Sequence, residues 1–370
     1  MIGDIRMNKN KVFAIVAVIV IVAASIGTAY IFTQNMAPPQ GTEETVTDAL
    51  GRTVSIPQQI DSIYCIGAAS LRLVSYFESA EKVLAIEPEG TFNTRVDQTY
   101  YLINNATFSA LPKVATTPEA IIALDPSVII TSTAQDAATA DTLQDQTNVS
   151  VYVINADVEF GQAFYDQITS LGTLFGEQTR ATHLNEGIAD MISDIVSEIT
   201  TVPNVNAYAC GMFFYGGASF LKGSGNYLPF DYSNITNAIE PASNGQPYTI
   251  TLETLIDADP DYIFIDSIDL NSIVDAINGY IDETTGLESV SAVVQGNLYS
   301  TMVYKCYGTN WENQLINVYY VASVVNGHLY DWNFEDKANE IIQLFYPGTT
   351  MTYSAIVSAQ SGNGCSGVTL

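Results

Sequence analysis

Apolar positions along this chain fall into short unbroken runs and longer, spaced ones. The short runs "IDSIYCIG", "PSVIIT", "VSVYVIN", "NAYACGMFF", "DYIFID" and "NLYSTMV" read as buried strands. Between them lie stretches with apolar residues every third or fourth place: "SLRLVSYF", "PEAIIAL", "ETLIDA" and "IVDAING" read as amphipathic helices. "VTDALGRTVSIP" alternates on either side of Leu-Gly and predicts a hairpin, and "KVLAIE" predicts one more strand. From about Glu159 to Thr200 the pattern is helical only, with Leu184, Ile188, Met191, Ile192 and Ile195 on one stripe before Pro203. Helices return around "NQLINVYYVASVVNG" and "FEDKANEIIQLF", and the tail "SGNGCSGVTL" is expected to be loose. Strands alternating with helices predict an α/β protein with mostly parallel sheets.

One helix–strand unit is written twice. "TPEAIIALDPSVIITS" (Thr117 to Ser132) and "TLETLIDADPDYIFID" (Thr251 to Asp266) align without a gap and share Thr, Glu, Ile, Asp, Pro and Ile. In each copy Thr caps the helix, Glu sits in its first turn, and Asp-Pro ends it before an apolar strand. Two α/β lobes with a helical segment between them follow. The boundaries read as 46–158 and 203–346 for the lobes, 159–202 for the linking helices and 347–370 for the tail. At the helix start Glu119 and Glu253 complement the dipole, worth about 0.3–1 kcal/mol each.

Ahead of the first lobe, Val12 to Phe32 holds 21 residues without a charge. At about 1.5 Å per residue such a helix spans roughly 30 Å of hydrocarbon. Arg6, Lys9 and Lys11 precede it, which keeps the N-terminus cytoplasmic and puts the remainder outside. Residues 1–33 are therefore expected to anchor the protein to the cytoplasmic membrane, with a cleaved signal peptide as the alternative. Residues 34–45, rich in Pro and Gly, read as a flexible stalk.

Charge narrows the partners. With 12 basic against 40 acidic residues the formal charge is -28, and no basic stripe exists to meet nucleic acid. Four cysteines (Cys65, Cys210, Cys306 and Cys365) lack metal-site spacing; the first two lie in strand-like runs, and a Cys306–Cys365 disulfide is open. Sequons at Asn105, Asn148 and Asn234 fit an exported chain. The two histidines, His183 and His328, fall outside loops that would line a cleft, so neither a bare-metal site nor a resident cofactor is expected.

"VTDALGRTVSIPQQIDSIYCIGAASLRLVSYFESAEKVLAIE" (Val46 to Glu87) resembles the start of the ABC-transporter substrate-binding proteins with a helical backbone. These carry ferric siderophores, haem or cobalamin to a permease. The paired units, "GGASFLKGSGNYLPFD" and "YGTNWENQLINVYYVASVV" are similar to later parts of that family, so the resemblance covers roughly Thr45 to Phe345. It implies two Rossmann-like lobes joined by a single long α-helix, with the ligand in the cleft between them. It also implies that Glu119 and Glu253, one per lobe, dock onto arginines of the permease.

In α/β lobes ligands sit at loops following the carboxyl ends of strands. Those loops hold Arg72, Arg95, Lys222 and Lys305, four of the nine basic residues outside the anchor segment, which suggests an anionic ligand. They are also dense in rings, suited to a large chelated ligand. The candidate ligand residues are Arg72, Arg95, Tyr215, Phe220, Lys222, Tyr227, Tyr307, Asn310 and Trp311, with Trp311 favoured for its polar Asn-Trp-Glu-Asn setting. No nucleophile elbow or phosphate loop is present, so catalysis is not expected. The chain thus reads as a monomeric extracytoplasmic importer component. Its cargo would be an iron chelate of siderophore type, and its partner a permease with a cytoplasmic ATPase. A corrinoid or haem is the alternative cargo, and a sensing surface domain without a permease the alternative role.

Overall fold

The computed structural model describes residues 44–88, 98–134, 136–199, 205–213, 217–239, 247–326 and 333–370. The expected anchor Val12 to Phe32, the stalk as far as residue 43, Arg95, Tyr215 and His328 lie outside these residues. None of the described helices is long and apolar enough to cross a membrane. The chain divides into two compact α/β units. Unit 1 comprises the chain up to Arg95 with Asn104–Ser193, and unit 2 comprises Val96–Ile103 with Asp194–Leu370. The boundary at Ser193 falls inside one long helix, Gln178–Glu198. Periodicity did not reveal that the Thr99–Ile103 helix belongs with unit 2, where the Thr99 hydroxyl donates to Asn313 Oδ1 at 3.2 Å.

In unit 1, β1 (Glu44–Thr47) and β2 (Thr53–Ile56) form the antiparallel hairpin that their alternation predicts. Strands β3 (Ile63–Ile66), β4 (Val128–Thr131) and β5 (Ser150–Val153) form a parallel sheet with β4 in the middle. β3 and β4 are buried at every residue, which is why they read as unbroken apolar runs rather than alternating ones. Ile121 of the Pro118–Leu124 helix packs on Tyr64, Ile129 and Val151 in the core. The "KVLAIE" segment makes only isolated bridges, Ile63↔Val83 and Ile86↔Lys113, and is not a strand.

The hairpin is fastened by one buried acid. Asp48 Oδ1 accepts the backbone N–H groups of Leu50 and Arg52, each at 3.0 Å, and Oδ2 accepts Arg52 Nε at 2.9 Å and the Val153 N–H at 3.3 Å. Arg52 continues to Asp141 at 2.7 Å and to the Val151 carbonyl, so β2 is tied to β5.

In unit 2, β10 (Tyr262–Asp266) lies between β6 (Asn206–Cys210) and β11 (Leu298–Thr301), all parallel. β7 (Lys222–Ser224) and β9 (Pro247–Thr249) extend the β6 side antiparallel, and β8 (Thr236–Asn237) also pairs β6. Period-two alternation sends Tyr208, Cys210, Ile263 and Ile265 to one face, against Leu255, Ile273 and Ile277 of two helices. Ala207, Ala209 and Phe264 face the other side, against Phe230 and against Val321 of the Trp311–Asn326 helix.

The tail, expected to be loose, is built into this sheet. Tyr353–Ala359 is a helix capped by Thr352, and β12 (Ser366–Gly367) pairs antiparallel with β11. The Cys365 N–H donates to the Tyr353 hydroxyl at 2.8 Å. All four cysteines are free thiols. Cys65 and Cys210 are fully buried, as their apolar runs suggest.

Candidate functional site

The repeated unit is built alike in both lobes. Thr117 Oγ1 accepts the Ala120 N–H at 3.4 Å, and Thr251 Oγ1 accepts the Thr254 N–H at 3.1 Å. Each helix then ends on an aspartate in the left-handed region, Asp125 at φ +51° and Asp259 at φ +40°, immediately before a proline. Ile121 and Leu255 are wholly buried, which fixes the opposite side of each helix outward. Glu119 and Glu253 stand exposed in the first turns, each ahead of a strand central to its own sheet.

In unit 1 the carboxyl ends of the strands are shaped by Gly67 and Glu87. Gly67 follows β3 at φ +90°, and a Cβ there would lie 2.0 Å from Ser132 Oγ, so only glycine fits. Its N–H donates to Glu87 Oε2 at 2.9 Å. Burial raises the Glu87 carboxyl above its ordinary value, and the Gly67 hydrogen bond offsets part of that rise. A recess of about 540 Å³ opens beside these strand ends, lined by Ile66, Thr131, Thr133, Asp136, Thr139 and Thr142 among others. Arg72 is fully buried within the Ala68–Tyr76 helix rather than standing in an open loop.

In unit 2 the strand ends gather more of the candidate residues. Asp266, the last residue of β10, is 1% exposed and accepts the N–H of Tyr304 at 2.7 Å and of Ile268 at 2.9 Å. Burial pushes its carboxyl up to about 7 despite those two bonds. The segment between β11 and the Trp311–Asn326 helix is held by Asn313 and Asn317 of that helix and by its own Asn310. Asn317 accepts the Met302 N–H and donates to the Met302 carbonyl, while the side-chain amides of Asn310 and Asn313 both donate to the Val303 carbonyl. Beyond this anchorage Tyr307 is 40% exposed at φ +52°, and its ring meets Phe213 edge-on, 6.2 Å between centroids. Lys305 is half-buried, with its ammonium 5.9 Å from the Tyr304 ring centre. Lys222 is also half-buried and donates to the Gly217 carbonyl at 2.6 Å.

The other expected ligand residues lie deeper. Phe220 is in the core cluster with Tyr208 and Tyr248, and Tyr227 is buried between Phe230 and Tyr304, at 4.9 Å from each ring. Trp311 is fully buried at the start of its helix despite polar neighbours in sequence, and the buried Asn310 donates to the Val303 carbonyl. Sequence reasoning missed Phe213, Glu87 and Asp266. Phe213 lies three residues past the end of β6, and that nearness to a strand end was the available signal for it; a lone acid at the end of an apolar run gives no such signal. Among the described residues no group of three or more His, Cys, Asp or Glu is placed to hold a metal ion.

Comparison with known proteins accounts for this architecture. Residues 99–302 match the family model described as periplasmic binding protein. No curated protein matches the sequence. Among solved structures, a periplasmic solute-binding protein from Veillonella parvula is 18% identical, with TM-score 0.66 over 86% of this chain and 99% of its own. The molybdate-binding protein MolA of Haemophilus influenzae is 13% identical, with TM-score 0.64 over 84% of this chain and 100% of its own. A protein of an Fe3+-hydroxamate transport system from Saccharomonospora viridis is 17% identical, with TM-score 0.51 over 82% and 99%. The match to the family model covers more than half of the chain, and this chain belongs to the periplasmic binding proteins, the extracytoplasmic solute-binding components of ABC transporters.

Proposed function

We propose that the protein captures a ferric chelate of siderophore type and hands it to an ABC permease, tethered to the membrane by its N-terminal apolar segment. The supporting observation is the exposed Phe213–Tyr307 ring pair, with Lys305 close by in sequence, at the carboxyl edge of the unit 2 sheet. Rings add contact area to an organic shell, and a cation suits its negative charge; a bare metal cation would use neither, and a small oxyanion such as molybdate would use the cation but not the rings. The relatives' solutes differ, one being solved with molybdate and another named for Fe3+-hydroxamate transport, so the ligand has to be read from this chain's own surface.

Titration of the purified protein with ferric trihydroxamate, ferric triscatecholate, cyanocobalamin, haemin and molybdate, followed by native mass spectrometry, tests this. A ferric chelate is expected to bind, and Tyr307→Ala and Phe213→Ala are each expected to weaken it by about tenfold. Binding of molybdate in place of any chelate would overturn the reading. For delivery, Glu119 and Glu253 are the docking carboxylates, one on each repeated unit, placed to align more than to grip. Replacing both with alanine should abolish uptake and leave chelate affinity unchanged; an equal loss of affinity would remove the docking role.

A further inference from the structure

The two copies of the repeated unit differ at their last aligned position. In unit 1 it is Ser132, whose hydroxyl donates to the Ile66 carbonyl at 3.3 Å. In unit 2 it is Asp266, a buried acid. The helix–strand unit therefore folds with a neutral hydroxyl at this place, and its geometry alone does not require the carboxyl.

What the carboxyl does is visible in its partners. Oδ1 accepts the Ile268 N–H and so turns the chain just past β10, while Oδ2 accepts the Tyr304 N–H of the segment after β11. The asparagines hold Met302 and Val303, and Asp266 adds a side-chain bond from the sheet to the N–H of Tyr304, the next residue. The Tyr304 carbonyl accepts the Asn310 N–H at 3.2 Å, and its hydroxyl accepts the Leu228 N–H at 3.2 Å. Three residues later Tyr307 sits at φ +52°, a conformation that a bulky residue keeps only where its surroundings fix it. The Cys306 N–H to Gly308 carbonyl bond, 2.9 Å, closes the turn that carries it.

We infer that Asp266 is a positioning residue for the ligand segment of unit 2, holding residues 302–310 so that Lys305 and Tyr307 are presented in one fixed arrangement. The role in binding rests on the proposal that this segment meets the chelate; the holding of the segment does not. A charged acceptor suits the task, because its hydrogen bonds are shorter and stronger than neutral ones. Among the described residues, the Cys210 thiol of β6 and the Tyr227 phenol at the head of the Leu228–Tyr232 helix both interact with the charge of this carboxyl. Burial pushes both upward, so at about pH 8, where the Asp266 carboxyl is mostly ionised, both are neutral and the charge is on Asp266.

Hydrogen exchange and ligand titration on Asp266→Asn and Asp266→Ser test the inference, the serine copying unit 1. Amide exchange across 302–310 is expected to rise by about tenfold or more at about pH 8, with β6, β10 and β11 remaining protected. Affinity for ferric trihydroxamate should fall by about tenfold there. The gap between wild type and D266N should narrow toward about pH 5.5, where the protonated carboxyl resembles the amide. Unchanged exchange in 302–310, or a rise spread evenly through unit 2, would overturn it. If the wild type binds no ferric chelate, the ligand reading falls, and exchange alone decides whether Asp266 holds the segment.

Discussion

Replacing Asp266 by asparagine should make the protein more stable at mildly alkaline pH. With 3.8 for the unfolded carboxyl and about 7 for the native one, the native state holds a proton over a range where the unfolded state has lost it. The stability tied to this group is therefore complete below about pH 4 and drains away as pH rises through 7. Above that, keeping the buried group ionised costs about 4 kcal/mol, at roughly 1.4 kcal/mol per pH unit. Asparagine removes this term, but it turns an amide N–H toward one of the two backbone donors, at a cost of about 1–3 kcal/mol. The variant should thus gain about 1–3 kcal/mol over wild type at about pH 8.

Between about pH 5 and pH 8 the wild type should lose about 2.5 kcal/mol relative to the variant. That corresponds to a relative shift in Tm of about 5–10 °C for a lobe of this size. Thermal unfolding of both proteins across this range reads the difference directly, and other titrating groups, such as Glu87, cancel in the comparison. A difference independent of pH, or a variant less stable than wild type at pH 8, would refute the reasoning. Together with a loss of ligand affinity, the predicted gain would mark a residue kept for the site at the expense of the fold.

Two further substitutions probe unit 1. Arg52→Ala should destabilise it by about 3 kcal/mol in urea unfolding, because the side chain of Asp48 is fully buried and would lose its cation. Lysine at the same position should recover only part of this, since a single ammonium cannot span Asp48, Asp141 and the Val151 carbonyl. Gly67→Ala should cost about 3 kcal/mol from the positive φ and the contact with Ser132. Adding Ser132→Ala should restore only a fraction, because Ser132 Cβ would still lie 3.3 Å from the new methyl group.

Local pattern carried the elements and the repeat. The caps at Thr117 and Thr251, the Asp-Pro stops, the buried runs of β3, β4 and β10 and the exposed Glu119 and Glu253 all depend on residues a few places apart. Hydrogen bonds within one helical turn and the burial of one continuous strand are recorded in adjacent letters, so the sequence displays them directly. The α/β class and the two-lobed organisation follow from the same signals.

The candidate site was decided at longer range. Asp266 meets Tyr304, Gly67 meets Glu87 and Ser132, and β12 finds β11 only when segments distant in the chain come together. Trp311 and Phe220 had ring chemistry suited to a ligand, yet they are buried, because burial depends on what the rest of the fold lays over a residue. A carboxyl is read as solvated until its neighbours exclude water, and the chain alone gives no sign that Asp266 is enclosed. Composition and spacing determined which units this protein builds; tertiary packing determined which of their side chains were left to act, through the desolvation and distant partners that only a folded chain supplies.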